Sequence, residues 1–101
     1  MRKIDKIIRS TQGKIKAKVL FTGGIYNQRT GQFMNWGYAY IRDPDSILPN
    51  YLLSDRIFIS PKDLRRLKLE GLRRLDDVLL YVKKDSKGRY YGADIELIKR
   101  N

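Results

Sequence analysis

The heptapeptide Asn35–Ile41, NWGYAYI, carries large aromatic residues at every second position. Successive side chains of a β-strand point to opposite faces, so one face of this segment would carry Trp36, Tyr38 and Tyr40. A glycine, an alanine and an isoleucine would form the other face. Large aromatic residues are most often core residues. The interior of a small barrel, however, is tight and favours small or branched side chains. The pattern therefore predicts a barrel strand whose small residues face inward and whose aromatic residues face outward.

The overall charge indicates the class of partner. The chain of 101 residues has 22 Lys and Arg against 11 Asp and Glu, a net charge of +11. Seven basic residues and one acidic residue lie within residues 1–20, whereas residues 21–60 contain three of each. A basic domain of this kind most often binds a polyanion, usually nucleic acid. The alternative is a basic surface that contacts an acidic protein.

Several residue types and motifs are absent from the sequence. It has no Cys and no His, which excludes disulfides and cysteine-ligated metal and removes the commonest general base. The glycine-rich segment FTGGIYN at residues 21–27 lacks the continuation of a phosphate-binding loop, and Asp76 and Asp77 stand at a predicted turn. No apolar run approaches the roughly 20 residues of a membrane span, and no signal peptide is evident. We expect an intracellular protein that is not an enzyme and has no cofactor, no metal, no small-molecule substrate and no membrane contact.

Hydrophobic periodicity and turn residues divide the chain into short elements. Residues 1–12 read as a basic N-terminal arm or a short helix. Ser60 is a suitable N-cap and Pro61 a suitable first residue for a helix that runs to about Leu69 and resumes after Gly71. Strands are predicted at residues 13–24, 35–41, 55–60, 76–85 and 89–100. Five short strands with a short helical insertion between the third and fourth predict an all-β, five-stranded OB-fold barrel over residues 13–101.

Alternation in the first strand assigns its two faces. We expect Val19 and Phe21 on the inner face, and Lys16, Lys18 and Leu20 on the outer face. In the last two strands, the tyrosines either extend an outer aromatic platform or pack between strands; these are Tyr81, Tyr90 and Tyr91.

Four segments together resemble the cold-shock domain family. NWGYAYI resembles the first ribonucleoprotein motif of these domains, and DRIFIS, residues 55–60, resembles the second. LRRLDDVLLYV, residues 72–82, and DSKGRYYGADIELI, residues 85–98, resemble the fourth strand and the closing hairpin. The resemblance covers roughly residues 13 to 99. It implies a cold-shock-type OB barrel that binds single-stranded RNA or DNA, with bases stacked on Tyr38, Tyr40 and Phe58. The S1-type RNA-binding barrel is a related alternative.

The sequence also departs from the family pattern. Ser60 stands where the family usually has His, and Leu20 stands nearest to the place of an exposed Trp in the first strand. The segments at residues 22–35 and 61–75 are longer than expected, which indicates a divergent member with insertions.

We therefore expect single-stranded nucleic-acid binding, with RNA favoured over DNA. The aromatic residues would stack on bases and the lysines would neutralise phosphates, although any single Lys is equally well explained as a solvated edge residue. The alternative is an OB-type protein–protein interaction module in a larger ribonucleoprotein assembly, whose partner would also meet the N-terminal arm or the insertions. The candidate nucleic-acid-binding residues are Trp36, Tyr38, Tyr40, Phe58, Lys16, Lys18, Ser60 and Lys62.

Overall fold

The computed structural model describes residues 2–66 and 72–100, except for the side chains of residues 25, 32–34 and 64–66. Residues 67–71, where the predicted end of the inserted helix falls, lie outside the described residues. The elements are α1 (Lys3–Ser10), β1 (Ile15–Asn27), β2 (Gln32–Tyr40), β3 (Ile57–Ile59), α2 (Pro61–Arg66), β4 (Asp77–Lys84) and β5 (Tyr90–Lys99).

The five strands close into a barrel in the order β1-β2-β3-β5-β4, with β4 pairing back onto β1. All neighbouring strands are antiparallel except β3 and β5, which are parallel. This mixed five-stranded barrel, with a short helix between the third and fourth strands, is consistent with an OB-like fold and confirms the predicted fold class. Within the part of the chain that is described, neither helix is long and apolar enough to cross a bilayer.

Small and branched residues fill the interior of the barrel. The small face of NWGYAYI lies inward, as predicted: Gly37 and Ala39 are buried, and Ile41 is 4% exposed. At Gly37 the strands approach so closely that a Cβ would lie 2.9 Å from the carbonyl oxygen of Phe21. The remaining fully buried barrel residues are Val19, Ile57, Ile59, Val78, Leu80 and Ile95.

A β-bulge at Leu20 corrects the predicted faces of β1. Val19 pairs with Ala39, but the next pair is Phe21 with Tyr38, so one extra residue stands in β1. An extra residue reverses the side-chain alternation beyond it. Phe21 therefore lies on the outer face, with 48% of its surface exposed, and its predicted place on the inner face is wrong.

The first two strands are also longer than predicted. β1 continues through Gly23 and Gly24 to Asn27, and β2 begins at Gln32, so the two strands form one long hairpin. The sequence placed the end of the first strand at the glycine pair because glycine usually interrupts a strand. Continuous pairing with β2 overrides that tendency.

The N-terminal helix packs against the barrel. Ile4 is fully buried and belongs to the same hydrophobic cluster as the barrel residues. Asp5 accepts a 2.9 Å hydrogen bond from the Tyr90 hydroxyl and pairs with Lys84 at 3.3 Å. Both partners belong to the strand pair β4–β5. The contacts of α1 are therefore apolar at the core and polar at the barrel surface.

Replacement of Ile4 tests whether α1 contributes to the stability of the barrel. We expect Ile4→Ala to lower the free energy of unfolding by about 2–5 kcal/mol, because the change removes a fully buried side chain. The control is Lys6→Ala, which replaces an exposed residue on the same helix. It should change the free energy of unfolding by less than about 0.5 kcal/mol. Urea unfolding measures both variants. Equal unfolding midpoints for the two would show that the helix does not stabilise the barrel.

Candidate nucleic-acid interface

Four aromatic residues lie side by side across four adjacent strands. Phe21 of β1 pairs with Tyr38 of β2, Tyr38 pairs with Phe58 of β3, and Phe58 pairs with Tyr91 of β5. Directly opposite residues share one face of a sheet. We call these four residues the aromatic row. Its outward direction is shown by the exposure of Phe21 (48%), Phe58 (36%) and Tyr91 (37%).

Trp36 packs beside the aromatic row because Gly23 leaves room for its indole. The two residues are paired across the hairpin, and a Cβ on Gly23 would lie 2.5 Å from indole Cζ2. The indole centroid lies 5.4 Å from that of Phe21, 5.7 Å from that of Tyr38 and 6.3 Å from that of Phe58. These spacings are typical of favourable aromatic contacts. The rings are thus held in place by one another before any ligand binds.

Cationic residues flank the aromatic row on the same face. Arg56 and Arg89 directly precede β3 and β5, and each stands two positions before a member of the row. Both line one pocket together with Tyr38, Phe58 and Tyr91. Lys18 lies opposite Tyr40 on β1–β2, the strand pair that also carries Phe21 and Tyr38. We call Lys18, Arg56 and Arg89 the cationic flank. The Arg56 guanidinium lies over the Tyr38 ring, 4.9 Å from its centroid.

The aromatic row ends in a groove of about 420 Å³, which we call the arginine groove. It lies between the start of β3 and the β4–β5 turn. Among the described residues, three arginines and one carboxylate line it. The complete lining is Arg2, Tyr38, Ser54, Arg56, Phe58, Asp85, Gly88, Arg89, Tyr90 and Tyr91.

Asp85 holds the β4–β5 turn beside the arginine groove. Its carboxylate accepts hydrogen bonds from the backbone N–H groups of Lys87 and Arg89 and from Arg89 Nε, each at 2.9 Å. The backbone N–H of Arg89 is the main cause that lowers the pKa of Asp85. The carboxylate thus stays charged and orients the guanidinium of Arg89.

Tyr90 lies beneath the arginine groove and is only 5% exposed. Arg2 and Lys84 lie over its ring, at 5.5 Å and 5.1 Å from the centroid. Its hydroxyl donates to Asp5. Burial raises the pKa of Asp5, but the hydrogen bonds from Tyr90 and Lys84 outweigh it and the net pKa is lowered. The charge of Asp5 thus helps to hold α1 against the barrel.

The structure brings together three of the predicted binding residues, namely Trp36, Tyr38 and Phe58. Tyr40 is half-buried on the same outer face, opposite Lys18. Lys18 also pairs with Asp77 at 3.5 Å, which partly neutralises its charge.

The other predicted residues lie elsewhere. Lys16 is exposed on β1 opposite Leu79 of β4, beyond the point where β1 stops pairing with β2. Lys62 is exposed on α2. The Ser60 hydroxyl donates to the Asp63 carboxylate at 2.8 Å and accepts from the Asp63 backbone N–H at 3.3 Å, so it caps α2 as predicted. Nucleic-acid contact by these three residues stays a prediction.

Sequence reasoning missed Phe21 and both arginines of the flank. Phe21 was missed because of the bulge, since simple alternation places its side chain in the interior. Arg56 and Arg89 did carry a signal, since each stands two positions before an outer aromatic residue. Tyr91, left open between platform and packing, belongs to the row.

Carboxylates with catalytic or metal-binding potential are engaged in structural contacts. Asp76, fully buried, accepts a 2.8 Å hydrogen bond from the backbone N–H of Arg73, and Asp77 pairs with Lys18. Over residues 2–66 and 72–100, no group of three or more acidic residues is placed to hold a metal ion.

Substitution of Gly23 tests the placement of Trp36. In Gly23→Ala the new methyl group would overlap the indole, so we expect the ring to move and its emission to shift to longer wavelength. Gly24→Ala is the matched control, because its side chain would project from the other face of the strand. Fluorescence spectra of the two folded variants make the comparison. Unchanged Trp36 emission in Gly23→Ala would contradict this placement.

The charge of Asp85 predicts a pH dependence. Because its pKa is lower in the folded than in the unfolded chain, its contribution to stability is complete above the unfolded value and is lost as the pH falls through the folded value. We expect carboxyl NMR to show Asp85 titrating below the usual range for aspartate. The acid-dependent fall in unfolding temperature should be smaller in Asp85→Asn. Titration at the ordinary value would contradict the turn geometry.

Comparison of the chain with known protein families, with curated proteins and with solved structures finds no match. What the protein binds must therefore be inferred from the chemistry of its own surface. That surface combines an exposed aromatic row, a cationic flank and an adjoining arginine groove.

Proposed function

We propose that the protein binds single-stranded nucleic acid, with bases stacked on the aromatic row and phosphates on the cationic flank. The observation that carries this proposal is the register of Phe21, Tyr38, Phe58 and Tyr91, which aligns four outward aromatic residues on adjacent strands. Exposed contiguous aromatic residues on a soluble domain usually mark a binding site. Base stacking on such rings contributes about 1–3 kcal/mol per base, with little sequence preference.

The charge distribution favours a nucleic acid over an apolar partner. Arg56 and Arg89 lie immediately beside the aromatic rings, and the chain has a net charge of +11. A single strand offers unstacked bases on one side and phosphates on the other, which matches an aromatic row next to a cationic flank. A duplex keeps its bases stacked and paired, so its base faces are not available to the row.

The kinship that best accounts for these features is a divergent cold-shock-type domain. The outer aromatic residues of β2 and β3 stand at the motif positions that resemble this family. The bulge at Leu20 brings Phe21 to the outer face of β1, the strand on which the resemblance leads us to expect an exposed aromatic residue.

A second candidate function is a protein-interaction module. The loop between β2 and β3 exposes three apolar side chains, Ile47 (98%), Leu48 (66%) and Leu53 (65%). An apolar surface of this kind is typical of protein contacts. None of these three side chains lines the arginine groove, so a protein contact here would leave the groove lining itself unused.

Removal of two rings from the row tests the stacking. We expect the double variant Tyr38→Ala with Phe58→Ala to lose about 2–6 kcal/mol of affinity for a single-stranded oligonucleotide, since two stacks are removed. Tyr81 is exposed to a similar extent, 39%, but lies outside the row, so Tyr81→Ala is the control and should bind as the parent does. Quenching of Trp36 fluorescence measures the affinities, and circular dichroism confirms folding. Unchanged affinity in the folded double variant would refute stacking on the row.

Salt dependence separates the two candidate functions. Affinity for a single strand should fall with a log–log slope of about −0.7 per phosphate contacted, and Arg56→Ala should reduce that slope by about 0.7. RNA and DNA homopolymers of equal length, titrated at several salt concentrations, give the slopes and the sugar preference together. A binding partner whose affinity is nearly independent of salt would favour the protein-interaction module.

A further inference from the structure

The arginine groove has the size and chemistry of a small-ligand site. Its volume of about 420 Å³ falls within the range of about 300–1,000 Å³ that is usual for ligand pockets. Tyr91 and Phe58, the last two residues of the aromatic row, form part of its lining. Tyr38 also lines it, so the groove overlaps the aromatic row at its β5 end.

The arginines of the groove are held in place by neighbouring groups. Arg89 uses its Nε–H for Asp85, which leaves the terminal amino groups of its guanidinium as donors. Arg56 rests on the Tyr38 ring, and no carboxylate among the described residues forms an ion pair with it. Arg2 pairs with Asp55 and lies over Tyr90. Donors that are already oriented lose less conformational entropy on binding.

This combination matches the chemistry of a nucleotide. An exposed tyrosine face accommodates a planar base, and guanidinium groups bind phosphate oxygens in a bidentate manner. The single carboxylate of the groove, Asp85, is already engaged by Arg89 and two backbone N–H groups. Its charge is thus largely compensated, and the groove presents net positive charge to a ligand.

We propose that the arginine groove is a nucleotide subsite, in which one base stacks on Tyr91 and its phosphate lies between Arg56 and Arg89. This inference rests on the proposed function, because the nucleotide is the one that follows those stacked on Phe21, Tyr38 and Phe58. The bound strand then crosses β1, β2 and β3 and continues over β5 toward the β4–β5 turn. The nucleotide is either internal to the strand or its phosphorylated end.

Paired variants test the subsite. Tyr91→Ala should weaken binding of a long oligonucleotide about 5- to 150-fold, the equivalent of one lost stack. Tyr91→Leu, which keeps an apolar side chain without a stacking ring, should weaken binding in the same direction and guards against a folding defect. Tyr81→Ala is the matched control, since that tyrosine is exposed to 39% compared with 37% for Tyr91. Both Tyr91 variants should lose less affinity for a trinucleotide than for the long oligonucleotide, because the three other rings of the row remain for its bases.

A second set of variants and oligonucleotides tests phosphate recognition. Arg89→Ala should lower affinity for the long oligonucleotide and reduce its salt slope, whereas Arg42→Ala, an exposed arginine outside the groove, should do neither. Oligonucleotides of equal length with a 5′-phosphate, a 3′-phosphate or no terminal phosphate distinguish the two positions of the nucleotide. If a terminal phosphate raises affinity in the parent protein but not in Arg89→Ala, the end of the strand lies in the groove. If affinity rises with oligonucleotide length and does not respond to a terminal phosphate, an internal nucleotide lies in the groove.

The outcomes also distinguish failure of the nucleotide subsite from failure of the proposed function. If the parent protein binds oligonucleotides, and variants of Phe21, Tyr38 or Phe58 weaken binding while Tyr91 and Arg89 variants do not, the subsite is refuted and base stacking on the other three rings stands. If the parent protein leaves Trp36 fluorescence unchanged with every oligonucleotide and no complex forms, both are refuted.

Discussion

In β1 one extra residue stands between Val19 and Phe21, at the point where Gly37 of the neighbouring strand allows the two backbones to approach closely. Before the bulge, odd-numbered residues of β1 face the core; after it, an odd-numbered residue faces solvent. The outer aromatic surface depends on this change of register. Without the bulge, Phe21 would compete for space in an interior already filled by small and branched side chains. With it, Phe21 lies opposite Tyr38 and begins the aromatic row.

The row then depends on two further features of the barrel. Gly23 leaves space for the indole of Trp36, which contacts three rings and limits their movement. The parallel pairing of β3 with β5 places Tyr91 next to Phe58, although the two lie far apart in the sequence. A short strand of three residues is sufficient for this because its two neighbours, β2 and β5, complete its hydrogen bonding.

The N-terminal helix links the stability of the barrel to its binding surface. Ile4 packs in the core, while Asp5 accepts a hydrogen bond from the hydroxyl of Tyr90. Tyr90 lies beneath the arginine groove. Arg2, which directly precedes the helix, reaches the groove itself. Loss of the helix would therefore disturb the groove as well as the core. The groove is assembled from the residue before α1, the start of β3 and the β4–β5 turn, so no single sequence motif predicts it.

Much of the architecture was predictable from local patterns. Alternation of small and aromatic residues in NWGYAYI identified both its strand and its inner face, because a small barrel tolerates only small or branched residues inside. Ser60 and Pro61 identified the start of α2 through capping chemistry. Alternation failed at Phe21, since a bulge leaves no mark in a pattern of period two, and at Gly23 and Gly24, since strand pairing outweighed the usual effect of glycine.

The sequence by itself determined that five strands form, which face of β2 is inward and that the chain is basic, because these properties arise from neighbouring residues. Only the tertiary structure decided that Phe21, Tyr38, Phe58 and Tyr91 form one row, and that Arg56 and Arg89 flank it. The physical reason is register: hydrogen bonding between strands distant in the chain sets which side chains stand opposite one another, and a single inserted residue changes every pair beyond it.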